Sequence, residues 1–366
     1  MMFRAVFPPP LRHPVARTGR LKSGAGLCFP SGAVLIQIIA VLALASSGSV
    51  FAQSALSGPL LGFVFDAQAQ GIRPILGVPG AATLGATLNV GTTLVAGAVS
   101  TREDYILSFT TDPFLLVVQS ADDSISTVAN SAIATLPDLI AISPAGSAAA
   151  LFYRQAASVM VVTGLPSAVN VASTIDISAF PNSLDTLAVT NDGQFVLAGF
   201  PEDTTPGEQK GEVFLIPADG SGPRSILTVG HASAIRLLNK SADLLVTDDV
   251  NSSLTRITDV AGAASVAQQF GADAGIAGPF AVQPAADDQT FLVAAQSSTV
   301  ALIDANGAAP VLLPCTCTPT GLHALRGGNV FQLTGTADGI IWIFDWTDPT
   351  NPRFLFVPPA ADQVSQ

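Results

Sequence analysis

The chain reads as an all-β repeat protein. Three observations carry that reading: its composition, its division into short apolar runs, and a unit of four such runs that recurs along the sequence. Charged residues are 11% of the 366 residues, against about 25% in an average soluble domain. A hydrophobic share of 49% excludes a disordered chain, and Gly (32) and Pro (26) are abundant. Lys, Glu and heptad leucines are too scarce for a coiled coil or helical bundle. The net charge of −12 excludes a nucleic-acid binder held by a basic patch.

The first fifty residues read as an address rather than as structure. Residues 1–32 carry Arg4, Arg12, Arg17, Arg20 and Lys22 and no acid. An apolar stretch, Ala33 to Ala45, follows and is broken only by Gln37. Val50-Phe51-Ala52 then sets up a cut between Ala52 and Gln53, which completes the order of a secretory signal peptide. Thirteen apolar residues fall short of the roughly 20 that span a bilayer, although an uncleaved anchor extended by neighbouring Gly and Ser is the alternative. Cys28 precedes the apolar stretch, so lipoprotein attachment has no support, and no Arg-Arg pair marks the twin-arginine route. The expectation is an exported protein, periplasmic or extracellular, with residues 1–52 as signal peptide.

Without that leader the chain keeps ten basic and 27 acidic residues, a net charge of −17. Such a surface repels phosphate backbones and anionic headgroups, and also serves simple colloidal stability. No later apolar run reaches 18 residues, so no transmembrane span is expected after cleavage. The expected partner is a protein or a small-molecule ligand of unknown identity, no nucleic acid is expected, and the chain is read as a monomer.

From there the apolar residues come in runs of four to six, closed by Gly, Pro, Asn or Asp, which is the punctuation of strands. Between Asp138 and Asp176 the runs are LIAIS, SAAALFYR, SVMVVTG and NVASTID. The next copies are LAVT, QFVLAGF, EVFLIPADG, RSILTVG, and then AIRLL, DLLVTDD, SLTRITDVAG, ASVAQQFG. FAVQP, TFLVAAQSS, TVALIDANG, PVLLPC and finally LHAL, NVFQLTG, IIWIFDW, RFLFVPP complete the series, with a weaker copy upstream (LVAGAVSTRED, YILSF, FLLVVQSADD, ISTVANS). Third-run ends near Asp66, Gln119, Thr163, Pro217, Asp259, Asp304 and Asp345 lie 53, 44, 54, 42, 45 and 41 residues apart.

Four strands at a period of about 40–45 predict a β-propeller, because a sheet apolar on both faces must be sandwiched and a closed ring leaves no exposed end. The expected domain spans 61–358, after a short segment 53–60 and before a tail 359–366. Seven blades are expected, one of them incomplete, because the N-terminal pair Gly62–Phe65 and Gly71–Gly77 has no visible partners upstream. Six blades plus an N-terminal hairpin is the alternative. The 54-residue step holds a polar insertion, Pro201 to Gly211, between second and third strands; it reads as a solvated loop or a binding lip.

These repeats resemble the YVTN or lactonase-like class of secreted bacterial propellers. The resemblance lies in Ala141-Ile142-Ser143-Pro144-Ala145-Gly146, in Val189-Thr190-Asn191-Asp192-Gly193 before Phe195-Val196-Leu197-Ala198, and in Thr299-Val300-Ala301-Leu302-Ile303-Asp304. It covers most of residues 60–358 at the level of the repeat. No blade carries the full Tyr-Val-Thr-Asn tetrad, and Leu245-Val246-Thr247-Asp248 comes nearest. It implies a fold and not an activity.

Candidate chemistry is sparse, and no catalytic or cofactor-binding residue is assigned. Cys315 and Cys317 are candidates for a disulfide in an exported chain, as a structural clip or a redox-labile bond. His231 and His323 read as corresponding positions that open the first strands of their blades. Because first strands line the channel of a propeller, the pair are candidate ligands for a divalent cation. Asp138, Asp185 and Pro279 occupy the analogous place elsewhere, which also fits a simple turn-entry position. The pairs Asp122-Asp123, Asp248-Asp249 and Asp287-Asp288 suit Ca²⁺ or turns, and without Asp-x-Asp-x-Asp-Gly spacing the turn is expected.

Glu103, Glu202, Glu208 and Glu212 are the only glutamates, and no Gly-x-Ser-x-Gly, His-Glu-x-x-His or phosphate-binding Gly loop is present. Trp342 and Trp346, both in the last unit, read as core filler or as a stacking platform. The function expected is a non-enzymatic binding or scaffold module. A metal-dependent lactonase-like hydrolase and an envelope structural or assembly component are the alternatives.

Overall fold

The structure, a computed structural model, describes residues 58–359 apart from 113, 122–123, 181–183 and 202–209. The leader with its Ala52–Gln53 cut, Asp122-Asp123, Glu202, Glu208 and the end of the tail therefore lie outside the described residues. Seven antiparallel sheets follow one another along the chain, each made from contiguous sequence. They are the seven blades of a β-propeller, spanning 60–84, 94–130, 139–176, 186–229, 232–270, 279–314 and 323–357. Six blades have four strands and blade 1 has three.

Within a blade, burial falls from the middle outwards, and the sequence shows why. Second strands such as Tyr105–Thr110 and Ala148–Tyr153 are buried at every residue, so they are mostly apolar rather than alternating. An outer strand such as Asn170–Asp176 alternates exposed and half-buried residues because only one of its faces meets a neighbour. Apolar clusters fill each junction; between blades 3 and 4, Phe152, Val159 and Val161 pack on Leu187, Val196 and Ile216.

Inner strands are joined to second strands by hairpins of one length. Six residues separate the last common pair in blades 2 to 7: Val99↔Ile106, Ile142↔Ala149, Val189↔Val196, Leu237↔Leu244, Pro284↔Phe291 and Ala324↔Phe331. The fourth residue of the hairpin takes left-handed backbone in five of them: Glu103 (φ 58°), Gly146 (71°), Gly193 (71°), Asp288 (62°) and Gly328 (73°). Glycine suits that position because it lacks the Cβ that crowds the backbone there.

The incomplete blade differs from the sequence expectation in one respect. Leu60–Asp66 reads as a third strand because it ends in Asp, yet it is the inner strand of blade 1, followed by Gly71–Val78 and Ala81–Leu84. The Asp66 carboxylate accepts from the backbone N–H of Gln68 and Ala69, so it serves the same turn chemistry that ends third strands elsewhere. Among the described residues, what blade 1 lacks is an outer strand and not the upstream pair. The ring closes where Leu61, Val64 and Ile75 of blade 1 pack on Val330, Ile341 and Ile343 of blade 7.

Candidate functional site: the axial channel

Common hairpin geometry puts six inner-strand residues at one level. Ala98 faces Leu107, Ala141 faces Ala150, Ala188 faces Leu197, Arg236 faces Leu245, Gln283 faces Leu292 and His323 faces Gln332, each one step before the last common pair. All six line one cavity of about 220 Å³. Residues from six different blades meet only on the axis, so this cavity is the channel of the propeller. Its lining is divided: blades 2, 3 and 4 contribute alanine methyl groups, and blades 5, 6 and 7 contribute a cation, an amide and an imidazole.

Among the described residues Arg236 makes one hydrogen bond, from Nη1 to the Ile235 carbonyl at 2.9 Å. Among the described residues it pairs with no carboxylate. It is solvent-exposed on the lining of the cavity, and desolvation by the neighbouring protein lowers its pKa from the ordinary guanidinium value. Other arginines are differently placed: Arg256 meets Asp243 at 2.8 Å and Arg353 meets Asp345. Gln283 is buried at 7% exposure, and its side chain makes no hydrogen bond among the described residues.

His323 lies against a carboxylate that reaches it from blade 2, past blade 1. Its Nε2 is 3.1 Å from Glu103 Oε1, while Glu103 Oε2 accepts the Phe63 N–H at 2.8 Å. Arg326 also donates to the Glu103 carbonyl. Glu103 is fully buried. Burial raises its pKa above the ordinary glutamate value, although the His323 and Phe63 hydrogen bonds pull the other way. Glu103 holds the left-handed hairpin position that three other blades give to glycine. A non-glycine residue kept in that conformation by its side-chain partners joins blades 2, 1 and 7 at one point.

His231 is not the counterpart of His323. It precedes the inner strand of blade 5, whereas His323 aligns with Arg236 five residues further on. The slip arises mainly because the inner strand of blade 7 is only two residues long, His323–Ala324, against six in blade 5, Ala232–Leu237, so strand starts do not correspond and alignment on the hairpins is needed. His231 Nδ1 lies 2.7 Å from Asp249 Oδ1, and its Nε2 is 3.6 Å from Asp185. Among the described residues, no three His, Cys, Asp or Glu side chains gather as a metal-binding group.

Asp248 and Asp288, one from each described acid pair, serve loops. Asp248 accepts from the backbone N–H of Gly230 and Asn251 and from the Asn251 amide, and Asp288 accepts from the Asn239 and Lys240 N–H of the preceding blade. Cys315 and Cys317 are joined by a disulfide with Cα atoms 5.0 Å apart, and both lie in the apolar cluster between blades 6 and 7. Trp346 is buried in that cluster and Trp342 packs against it, so neither is a free stacking platform. Sequence reasoning missed Arg236, Gln283 and the reach of Glu103. The usable signal was Glu103 standing in the glycine position of the hairpin, in Ser100-Thr-Arg-Glu103 beside Ser143-Pro-Ala-Gly146.

No protein-family model and no curated protein matches the chain. Among solved structures, a functionally unknown protein from Desulfotomaculum acetoxidans DSM 771 aligns at 11% identity over 81% of this chain and 78% of that one, with a TM-score of 0.43. A chain from the crystal structure of the mitotic checkpoint complex aligns at 8% identity over 84% of this chain and 93% of that one, with a TM-score of 0.52. At such identities likeness extends to the fold alone. None of the helices in the described residues is long and apolar enough to cross a membrane.

Proposed function

We propose that this is an exported, non-enzymatic β-propeller that binds a ligand in its axial channel. One observation carries the reading: polar side chains of blades 5 to 7 face three alanines of blades 2 to 4 across a cavity of about 220 Å³. A few convergent polar groups against an apolar wall is the usual make-up of a small-molecule site. The repeat-level resemblance to secreted YVTN or lactonase-like propellers and the leader at 1–52 support export.

The test is a thermal-shift screen of small molecules on the purified protein and on Ala141→Phe, which fills the channel. A ligand at a hundred times its dissociation constant stabilises the folded state by about 2.7 kcal/mol, a shift of several degrees. Binders are expected for the native protein and lost in the variant; hits that bind both alike would place the site elsewhere. A mature N-terminus at Gln53 checks export. One observation favours the lactonase-like alternative, the carboxylate-held His323 on the channel wall. Turnover of lactones with Ca²⁺, Zn²⁺ or Mn²⁺, abolished by His323→Ala, would replace the non-enzymatic reading.

A further inference from the structure

We infer that the channel ligand is a small organic monocarboxylate, its carboxylate held by Arg236 and its apolar body laid on the alanine wall. The inference rests on the channel reading above and deepens it. A guanidinium carries five N–H donors in a planar fork that matches a carboxylate. Arg236 uses one bond, to the Ile235 carbonyl, and no acid of the described chain faces it, although the protein as a whole is strongly acidic. A guanidinium on the cavity lining without a carboxylate partner keeps its fork of donors open to an anionic ligand.

Charge count selects a monoanion. On the polar wall, Arg236 supplies one positive charge, Gln283 is neutral, and His323 is already matched by Glu103. A phosphate dianion would exceed the one free cation and approach the Glu103 carboxylate, while a monocarboxylate balances Arg236 alone. Gln283, whose amide is otherwise unbonded, offers a further donor at the adjacent blade. Ala98, Ala141 and Ala188 present only methyl groups opposite and suit an alkyl or aryl body.

The experiment is calorimetric titration of the purified protein with benzoate and hexanoate, their neutral amides and inorganic phosphate, repeated on R236Q and R236K. Carboxylates are expected to bind at least tenfold more tightly than the amides. R236Q should lose at least tenfold, and R236K, which keeps the charge and not the fork, should fall between. The Arg236 Nε–H NMR signal of the native protein should move with benzoate and not with benzamide, a readout that stands even where a variant fails to fold. Equal binding of amides and acids, or an R236Q variant that binds benzoate like the native protein, overturns the inference and leaves channel binding intact. Tighter binding of phosphate than of any carboxylate overturns the ligand class. If no probe binds, charged or neutral, and the Ala141→Phe screen is blank, both readings fall together.

Discussion

The junction between blades 3 and 4 and the seam between blades 1 and 7 solve one packing problem in two ways. Blades 3 and 4 adjoin in sequence and meet through an apolar cluster that includes Phe152, Val161 and Val196, with hydrogen bonds from Ala145 and Ser147 to Asn191 only at the exposed hairpin end. The seam joins the first and last blades and includes blade 1, which has three strands among the described residues. It adds to its apolar contacts a buried carboxylate that reaches Phe63, His323 and Arg326, residues 220 or more positions apart from Glu103 in the last two cases. Neighbouring blades are brought together by short connections, whereas closing the ring carries the loop entropy of the whole domain. Directional bonds at the seam fix the register of blade 1 between its neighbours, which apolar contact alone leaves unspecified.

The largest way to break the comparison is to remove core volume on each side. Phe152→Ala should cost about 3–5 kcal/mol and Ile343→Ala about 2–5 kcal/mol, since both are essentially fully buried. The difference lies in the denaturant slope. Ile343→Ala should open the ring and lower the m-value, and Phe152→Ala should shift the midpoint alone. Equal slopes in urea melts would show that the seam unfolds no differently from any other junction.

A middle effect isolates the carboxylate. Glu103→Ala leaves the Phe63 N–H buried without an acceptor and should cost about 1–3 kcal/mol. Glu103→Gln keeps an acceptor for Phe63 and should cost less. The folded pKa of Glu103 is raised by burial, so the folded state holds its proton to higher pH than the unfolded chain. The stability of the native protein relative to Glu103→Gln should therefore fall as pH rises from the ordinary glutamate value through the raised one. Paired melts between pH 4 and 7 check the sign; a difference that grows with pH would mean the ionised pair with His323 stabilises the seam.

The smallest effect is expected at the disulfide. Cys315 and Cys317 close a loop of almost no length, so Cys315→Ser should cost under about 2 kcal/mol. Urea midpoints with and without reductant measure it. A larger loss would show that the bridge shapes the entry to blade 7 rather than merely tying it.

Most of the strands of blades 2 to 7 were legible in the sequence. Runs such as Ser158–Thr163 and Thr299–Asp304 end where turn residues stand, and both-sided burial makes them plainly apolar. Phase was less legible. Asp66 ends an inner strand with the same turn chemistry that ends third strands, and local chemistry does not report which strand faces the axis. His231 and His323 look equivalent when strand starts are compared, and inner strands of six and two residues put those starts at different levels. Arg236 lay hidden inside AIRLL, where an arginine in a half-buried strand reads as solvent-facing.

By itself the sequence determined the repeat, the strand positions, the acidic balance and the turn residues, because each depends on neighbours within a few positions. Only the tertiary structure decided what the channel contains. Ala98, Ala141, Ala188, Arg236, Gln283 and His323 share a level because six hairpins of equal length stack around an axis. Glu103 meets His323 because ring closure seats blade 7 beside blade 1, within reach of blade 2. Those are long-range relations, and closure of the ring, not any local preference, creates them.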